Sequence, residues 1–190
     1  MGITIHYKGR IDEAAEVQDM YDALIDIADV MQWKHLFLRN EPINGLILDL
    51  GNKCEPVSFI FDEKGGLCNP LSVAVGTHDS SAGDNWVSVK TQFAPQDIHV
   101  SVIKLLQFIK KRYIPDLEVV DEGQFWETGD RALLDENFAK VKAAIGKLAQ
   151  TLASIEVPTS SVDTAEKLAE FLELKLKDLF RKGGQDSDSE

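Results

Sequence analysis

The stretch DEGQFWETGD, residues 121–130, sets Asp121, Glu122, Glu127 and Asp130 around Phe125 and Trp126. Carboxylates at this density are the donors a hard divalent cation takes, because Mg²⁺ and Ca²⁺ prefer oxygen ligands. Asp121, Glu127 and Asp130 therefore form the candidate acidic site, and His6 and His35 are the imidazoles a fold could bring toward such a site. If strands 3–8 and 35–39 were neighbours, the two histidines could meet as a pair of ligands with Asp49. The chemistry of such a set would be metal-assisted hydrolysis. An architectural reading competes with it. Thr128, Gly129 and Asp130 immediately precede a long apolar rhythm, and Asp is a favoured N-cap whose oxygen accepts from the first backbone N–H groups of a helix. On that reading Asp130 caps, Phe125 or Trp126 packs on the first helical turn, and Asp121, Glu122 and Glu127 are solvated loop acids. The capping signal weighs more, because no EF-hand spacing accompanies the acids.

Other reactive residues carry less. Cys54 and Cys68 belong to no C-x-x-C pair. A hairpin in FDEKGGLC would set Cys68 opposite Phe61, too far along the strand from Cys54 for a disulfide, so free thiols are expected. His78, Asp79, Ser80 and Ser81 are consecutive in GTHDSSAGDN, but neighbours in a loop point in different directions and a hydrolytic relay needs an oriented base. His99 falls at the rim of a helical apolar stripe. There is no G-x-S-x-G, G-x-G-x-x-G, P-loop or H-E-x-x-H, and no cofactor is expected.

Charge narrows the partners. Asp plus Glu number 32 against 20 Lys plus Arg, a formal charge of −12. A surface of that sign repels phosphate backbones, so nucleic-acid binding is not expected. No run approaches the roughly 18 apolar residues of a membrane span, and MGITIHYKGRIDE lacks the charged and apolar regions of a secretory leader. His6 stands where a myristoylation signal wants Ser or Thr. The expected location is cytoplasmic.

Two periods organise the chain. ITIHYK, residues 3–8, alternates with Ile3, Ile5 and Tyr7 on one face, a half-buried strand. Val17, Met20, Leu24, Ala28 and Met31 recur at three- and four-residue spacings, an amphipathic helix. Residues 33–93 hold the short runs HLFLRN, GLILDL, PVSFIFD, LSVAV and NWVSVKTQF, separated by turn residues, and predict an antiparallel meander. Gly65 and Gly66 suit the positive φ of the FDEKGGLC hairpin. Along the polar side of this sheet the alternation predicts His6, Lys8, His35, Phe37, Arg39, Ser88 and Lys90, with Trp86 beside them. A second helix follows over 95–113, with acid early, cations late and a stripe of Ile98, Val102, Leu105, Ile109 and Tyr113. DLEVV, residues 116–120, is one more strand. Then Leu134, Phe138, Val141, Ile145, Leu148, Leu152 and Ile155 alternate spacings of four and three, and Ala165, Ala169, Leu172, Leu176 and Leu179 repeat the rhythm beyond EVPTSSVD. A seven-residue apolar rhythm wants a helical partner. GGQDSDSE at the end is acidic and predicts disorder.

ITIHYKGRI, CEPVSFIFD and KTQFAPQDIHVSVIKLLQFIKKRY, followed by DEGQFWETGD, together resemble uncharacterised bacterial cytoplasmic proteins over residues 3–130. The resemblance implies no activity, cofactor or catalytic residue.

The expected architecture is α+β: an antiparallel sheet with helices on one face over 1–129, an αα-hairpin over 130–182 and an acidic tail over 183–190. The expected function is a non-enzymatic binding or assembly module, with a protein partner or a second copy engaged through the C-terminal helices. A metal-assisted hydrolase using residues 121–130 and a sheet histidine is the first alternative. An acidic inhibitor or decoy of a basic partner is the second.

Overall fold

The computed structural model describes residues 2–40, 43–77 and 85–153. In chain order the elements are β1 (Thr4–Lys8), α1 (Ala14–Met31), β2 (Lys34–Asn40), β3 (Ile43–Asp49), β4 (Val57–Phe61), α2 (Pro70–Ala74), β5 (Val87–Lys90), α3 (Gln96–Arg112), β6 (Glu118–Asp121), α4 (Phe125–Thr128) and α5 (Arg131–Ala153). Two compact units divide the chain, residues 1–142 and 143–190, and α5 is continuous from the first into the second. The C-terminal helix expected after EVPTSSVD, the acidic tail and His78–Ser81 lie outside the described residues.

The fold is α+β, but the strands form two small antiparallel sheets instead of one meander. β2, β3 and β4 follow one another in the first, while β5 leaves that order and pairs with β1 in a second sheet ordered β5-β1-β6. The register sets Ile5 opposite Val89 and Tyr7 opposite Val87, so the apolar phases of β1 and β5 share one face. Burying the β1 face explains the partner exchange: Ile5, Tyr7, Val87 and Val89 are all sealed from solvent. Both sheets, α1 and α3 contribute to one core. Tyr7 joins the sheets directly, its hydroxyl donating to the Ser58 carbonyl at 2.7 Å and accepting from the Ser58 N–H at 3.2 Å.

LSVAV is helix, not strand. Asn69 accepts from the Leu71 N–H at 2.9 Å and Pro70 takes the first helical position, so an N-cap and a preset φ outvote the β-branched residues of a short run. The FDEKGGLC turn forms, with Phe61 bridged to Leu67 and not to Cys68. Asp62 Oδ1 accepts from the N–H groups of both Lys64 and Gly66 at 2.9 Å, which tightens the turn by one residue. Of the two glycines only Gly65 has positive φ, +78°, and a Cβ there would lie 1.8 Å from the Ile11 carbonyl oxygen. That close approach lets Ile11 N–H donate to Gly65 O and Leu67 N–H donate to Gly9 O, which ties the turn to the chain leaving β1.

β2 presents its faces in the opposite sense to the alternation expected. Phe37 turns to the core, its ring edge-on to Tyr21 at 5.8 Å, while Leu36 is 59% exposed. The register decides this. Phe37 pairs with Leu46 and Leu46 with Phe59, both fully buried, so Phe37 must share their face. On α1, Met20, Leu24 and Ala28 are buried as the stripe requires, but Met31 is 48% exposed because the helix ends there and Gln32 turns away in the left-handed region.

Candidate functional site

Asp121 is the hub of the stretch that reads most like chemistry, and it is not a loop acid. β6 alternates: Glu118 and Val120 face solvent, while Val119 and Asp121 point inward beside Tyr7 and Ile5. The carboxylate is buried and accepts the Gly123 N–H at 2.7 Å on Oδ1 and the Phe125 and Trp126 N–H groups at 2.7 and 3.0 Å on Oδ2. These donors open α4, whose preceding residue Gln124 makes no side-chain cap. Asp121 supplies the missing acceptors from outside the helix, a task that suits a negative charge at a helix start.

The fourth partner is His99. Its Nε2 lies 3.1 Å from Asp121 Oδ1 and 3.2 Å from Oδ2, and its Nδ1 lies 2.8 Å from Thr91 Oγ1. The Thr91 hydroxyl also reaches the Ile3 carbonyl at 3.3 Å. Burial alone would push the Asp121 carboxyl up. The hydrogen bond and charge of His99, with the N–H groups of Trp126 and Gly123, outweigh it and hold the carboxyl below the ordinary aspartate value. Hydroxyl, imidazole and carboxylate in series are the parts of a proton relay. Here all three side chains are sealed: Thr91 and His99 have no exposed surface, and Asp121 retains 5%.

The seal comes from the start of α5 and the residues it covers. Leu134 and Phe138 form a cluster with Ile3, against which Phe125, Val100 and Val141 pack. Phe138 stands edge-on to His99, ring centres 5.6 Å apart. Gly123 fits beneath this cover so closely that a Cβ would lie 2.7 Å from Leu134 Cδ1, 2.9 Å from His99 Nε2 and 3.0 Å from Asp121 Oδ1. Asn137 donates to the Gly123 carbonyl at 3.1 Å and Arg131 pairs with Asp97 at 2.8 Å, which fix the helix on both flanks.

The remaining candidate residues do not join Asp121. His6 projects from the outer face of β1, its Nδ1 2.8 Å from Ser88 Oγ across the β1–β5 pair. His35 is exposed on β2, in the other sheet, so the strand adjacency that would pair the histidines does not occur. Glu127 is exposed on α4. Asp130 Oδ1 accepts the Ala132 and Leu133 N–H groups at 2.8 and 3.2 Å, the geometry of an N-cap on α5. Among the described residues no group of three or more His, Cys, Asp or Glu side chains is placed to hold a metal ion.

Comparison with protein-family models, with curated proteins and with solved structures returned no match.

The polar sheet face is likewise divided. His6, Lys8, Trp86, Ser88 and Lys90 belong to the β5-β1-β6 sheet or its approach, whereas His35 and Phe37 belong to the other. Lys8 stacks over the Trp86 ring at 4.7 Å and pairs with Glu118 at 3.4 Å. An open cleft of about 300 Å³ adjoins them, lined by Arg10, Lys64, Asp62 and Asp116 among others, a balanced mixture of signs that selects no ligand charge. Cys54 and Cys68 are both thiols. Burial and then nearby carboxylates push the Cys54 thiol up to about 11 and the Cys68 thiol up to about 12, opposite to the shift of a nucleophile. No helix among the described residues is long and apolar enough to cross a membrane.

The sequence holds a signal for Thr91 and His99 that their residue types hide. Thr91 continues the inward phase of Val87 and Val89, and Asp121 that of Leu117 and Val119. His99 stands three, four and seven residues before Val102, Ile103 and Leu106, all fully buried. Polar residues occupying the apolar phase of three elements must be partnered when buried, and these partner one another.

Proposed function

We propose that the chain is a non-enzymatic assembly module that associates with a second copy through its C-terminal helices. The observation that carries this reading is the apolar rhythm of α5 beyond residue 142, where Ile145 is 36% and Leu148 is 45% exposed. Large aliphatic side chains kept on one helical phase and left facing water are the seam of a coiled coil. The committed state of the acidic residues points the same way. A hydrolase built on residues 121–130 would need Asp121 and Asp130 at one open site, but each already serves backbone N–H groups of a different helix.

The test is the mass of the full chain by light scattering over a range of concentrations, beside the double variant Ile145→Glu, Leu148→Glu. A concentration-dependent oligomer that the double variant converts to monomer, with tryptophan fluorescence unchanged, supports the reading. A wild-type chain that stays monomeric at every concentration overturns it.

A further inference from the structure

We infer that the cleft between the end of α3 and the first turn of α4 is a binding site for a small monoanion, a carboxylate carried on a flat apolar body. The cleft has a volume of about 520 Å³ and is lined by Gln107, Lys110, Lys111, Pro115 and Trp126. Two of these residues are cationic and none is acidic, on a chain of 32 acids and 20 bases. The acids beside them in sequence do not line it. Asp116 belongs to the other cleft, with Arg10 and Lys64, and Glu127 is exposed on α4.

The turn that joins α3 to β6 supplies the charge. Cations are favoured in the last turn of a helix, and α3 ends on Lys110, Lys111 and Arg112. Arg112 is engaged by Tyr113, its Nε donating to the Tyr113 hydroxyl at 3.0 Å. Lys110 is half-buried, and its Nζ donates to the Pro115 and Leu117 carbonyls at 3.2 and 2.5 Å. Carbonyl oxygens fix an ammonium in place without cancelling its charge, and an ammonium has a third proton to give. Lys111 is exposed. Among the described residues neither lysine is paired with a carboxylate.

Trp126 is the apolar wall. Its backbone N–H is held by Asp121 Oδ2 at 3.0 Å and its side chain is half-buried against the core, so the buried carboxylate that starts α4 also fixes this platform. Ammonium and indole groups are donors only, and the Trp126 and Pro115 rings are flat. A matching ligand therefore sets negative oxygens beside a flat apolar surface. A carboxylate fits better than a phosphate. The site lies at the C-terminal end of α3, where the unpaired backbone groups are carbonyls and the dipole is negative, so a doubly charged anion meets twice the opposition of a single charge. Every lining residue lies within residues 1–142, which makes the site separate from the exposed α5 seam.

The probe is 2-naphthoate, titrated into the ¹⁵N-labelled full chain and followed by NMR, with neutral 2-naphthamide and inorganic phosphate as comparisons. The expected result is saturable shifts of the Trp126 indole and of amides in 107–115, with 2-naphthamide and phosphate each about tenfold or more weaker. Lys111→Glu and Gln107→Glu should each weaken 2-naphthoate about tenfold, while Lys111→Arg, which keeps the charge, stays within about twofold. Lys111 and Gln107 are exposed, so these variants are expected to fold, and unchanged amide shifts outside the cleft check it. The Ile145→Glu, Leu148→Glu variant is expected to bind undiminished, so loss of the α5 assembly and loss of this site read out separately. Equal binding of 2-naphthamide, shifts that do not saturate or that fall outside the cleft, or Glu variants that bind as wild type would each overturn the inference. So would phosphate binding as tightly as 2-naphthoate, because the apolar wall would then select nothing.

Discussion

Replacing Asp121 by Asn keeps the shape of the side chain and removes half of its capacity to accept. The carboxylate takes four donors: Gly123 N–H on Oδ1, Phe125 and Trp126 N–H on Oδ2, and His99 Nε2 beside both. An Asn that keeps its oxygen toward Phe125 and Trp126 turns its NH₂ on Gly123, donor against donor. The flipped amide keeps Gly123 and abandons the other two. The better choice still leaves one buried N–H unsatisfied, at about 1–3 kcal/mol. The two bonds it keeps become neutral, and hydrogen bonds to an ionised acceptor are roughly twice as strong as neutral ones. With the hydrogen bond from His99 also weakened, the total comes to about 3–5 kcal/mol. Against a typical stability of roughly 5–15 kcal/mol that is a third or more of the whole. Urea unfolding followed by tryptophan fluorescence reads it cleanly, because Trp33, Trp86 and Trp126 all lie within residues 1–142. Asp130→Ala, which removes an exposed N-cap, should cost only about 1 kcal/mol in the same assay. An Asp121→Asn midpoint that falls no further than that of Asp130→Ala would refute the assignment of Asp121 as the hub.

The same carboxyl sets a pH dependence. Its folded value lies below the ordinary one, so its contribution to stability is complete above the unfolded value of about 3.9 and is lost as pH falls below that toward the folded value. Unfolding midpoints measured downward from about pH 5 should therefore drop more steeply for wild type than for Asp121→Asn, and parallel slopes would contradict the linkage. Gly123→Ala should cost about 1–3 kcal/mol by overpacking, since the added methyl meets Leu134, His99 and Asp121 at once, and a neutral result in urea would show that the cover over the array is loose. A thiol held up at about 11 is only about 0.1% thiolate near pH 8, against about a quarter for an unperturbed one, so disulfide reagents should label native Cys54 slowly and Cys68 more slowly still. Both should react at once in denaturant.

The periods of the sequence locate most elements and fail where a choice is global. α1, β1, α3 and the start of α5 follow from apolar spacing alone, because each buries one stripe and the stripe is written locally. Which strand lies beside β1 is a different kind of question. β5 satisfies the meander pattern locally, and only the shared burial of Ile5 with Val89 and Tyr7 with Val87 sends it to the other sheet. The inversion of β2 has the same origin: in KHLFLRN both phases contain apolar residues, Leu36 and Leu38 on one and Phe37 on the other, and the register with Leu46 breaks the tie. LSVAV shows a local signal overruled by a stronger local one, since Asn69 and Pro70 specify a helix start before the β-branched residues are reached. Asp130 as a cap was legible from its position. Asp121 was not, because its acidity suggested solvent while its phase on β6 required burial.

Counting lone pairs answers the question posed by DEGQFWETGD. A carboxylate offers about four acceptor positions, and Asp121 has four donors on it, while both nitrogens of His99 face partners as well. Asp130 gives one oxygen to two N–H groups of α5. Binding a cation at Asp121 would first have to uncap α4, part His99 from its partner and lift Leu134 and Phe138, each at a cost in stability with no group arranged to offset it. The acids are dense there because two helices, α4 and α5, begin within seven residues of each other and both starts need negative oxygen.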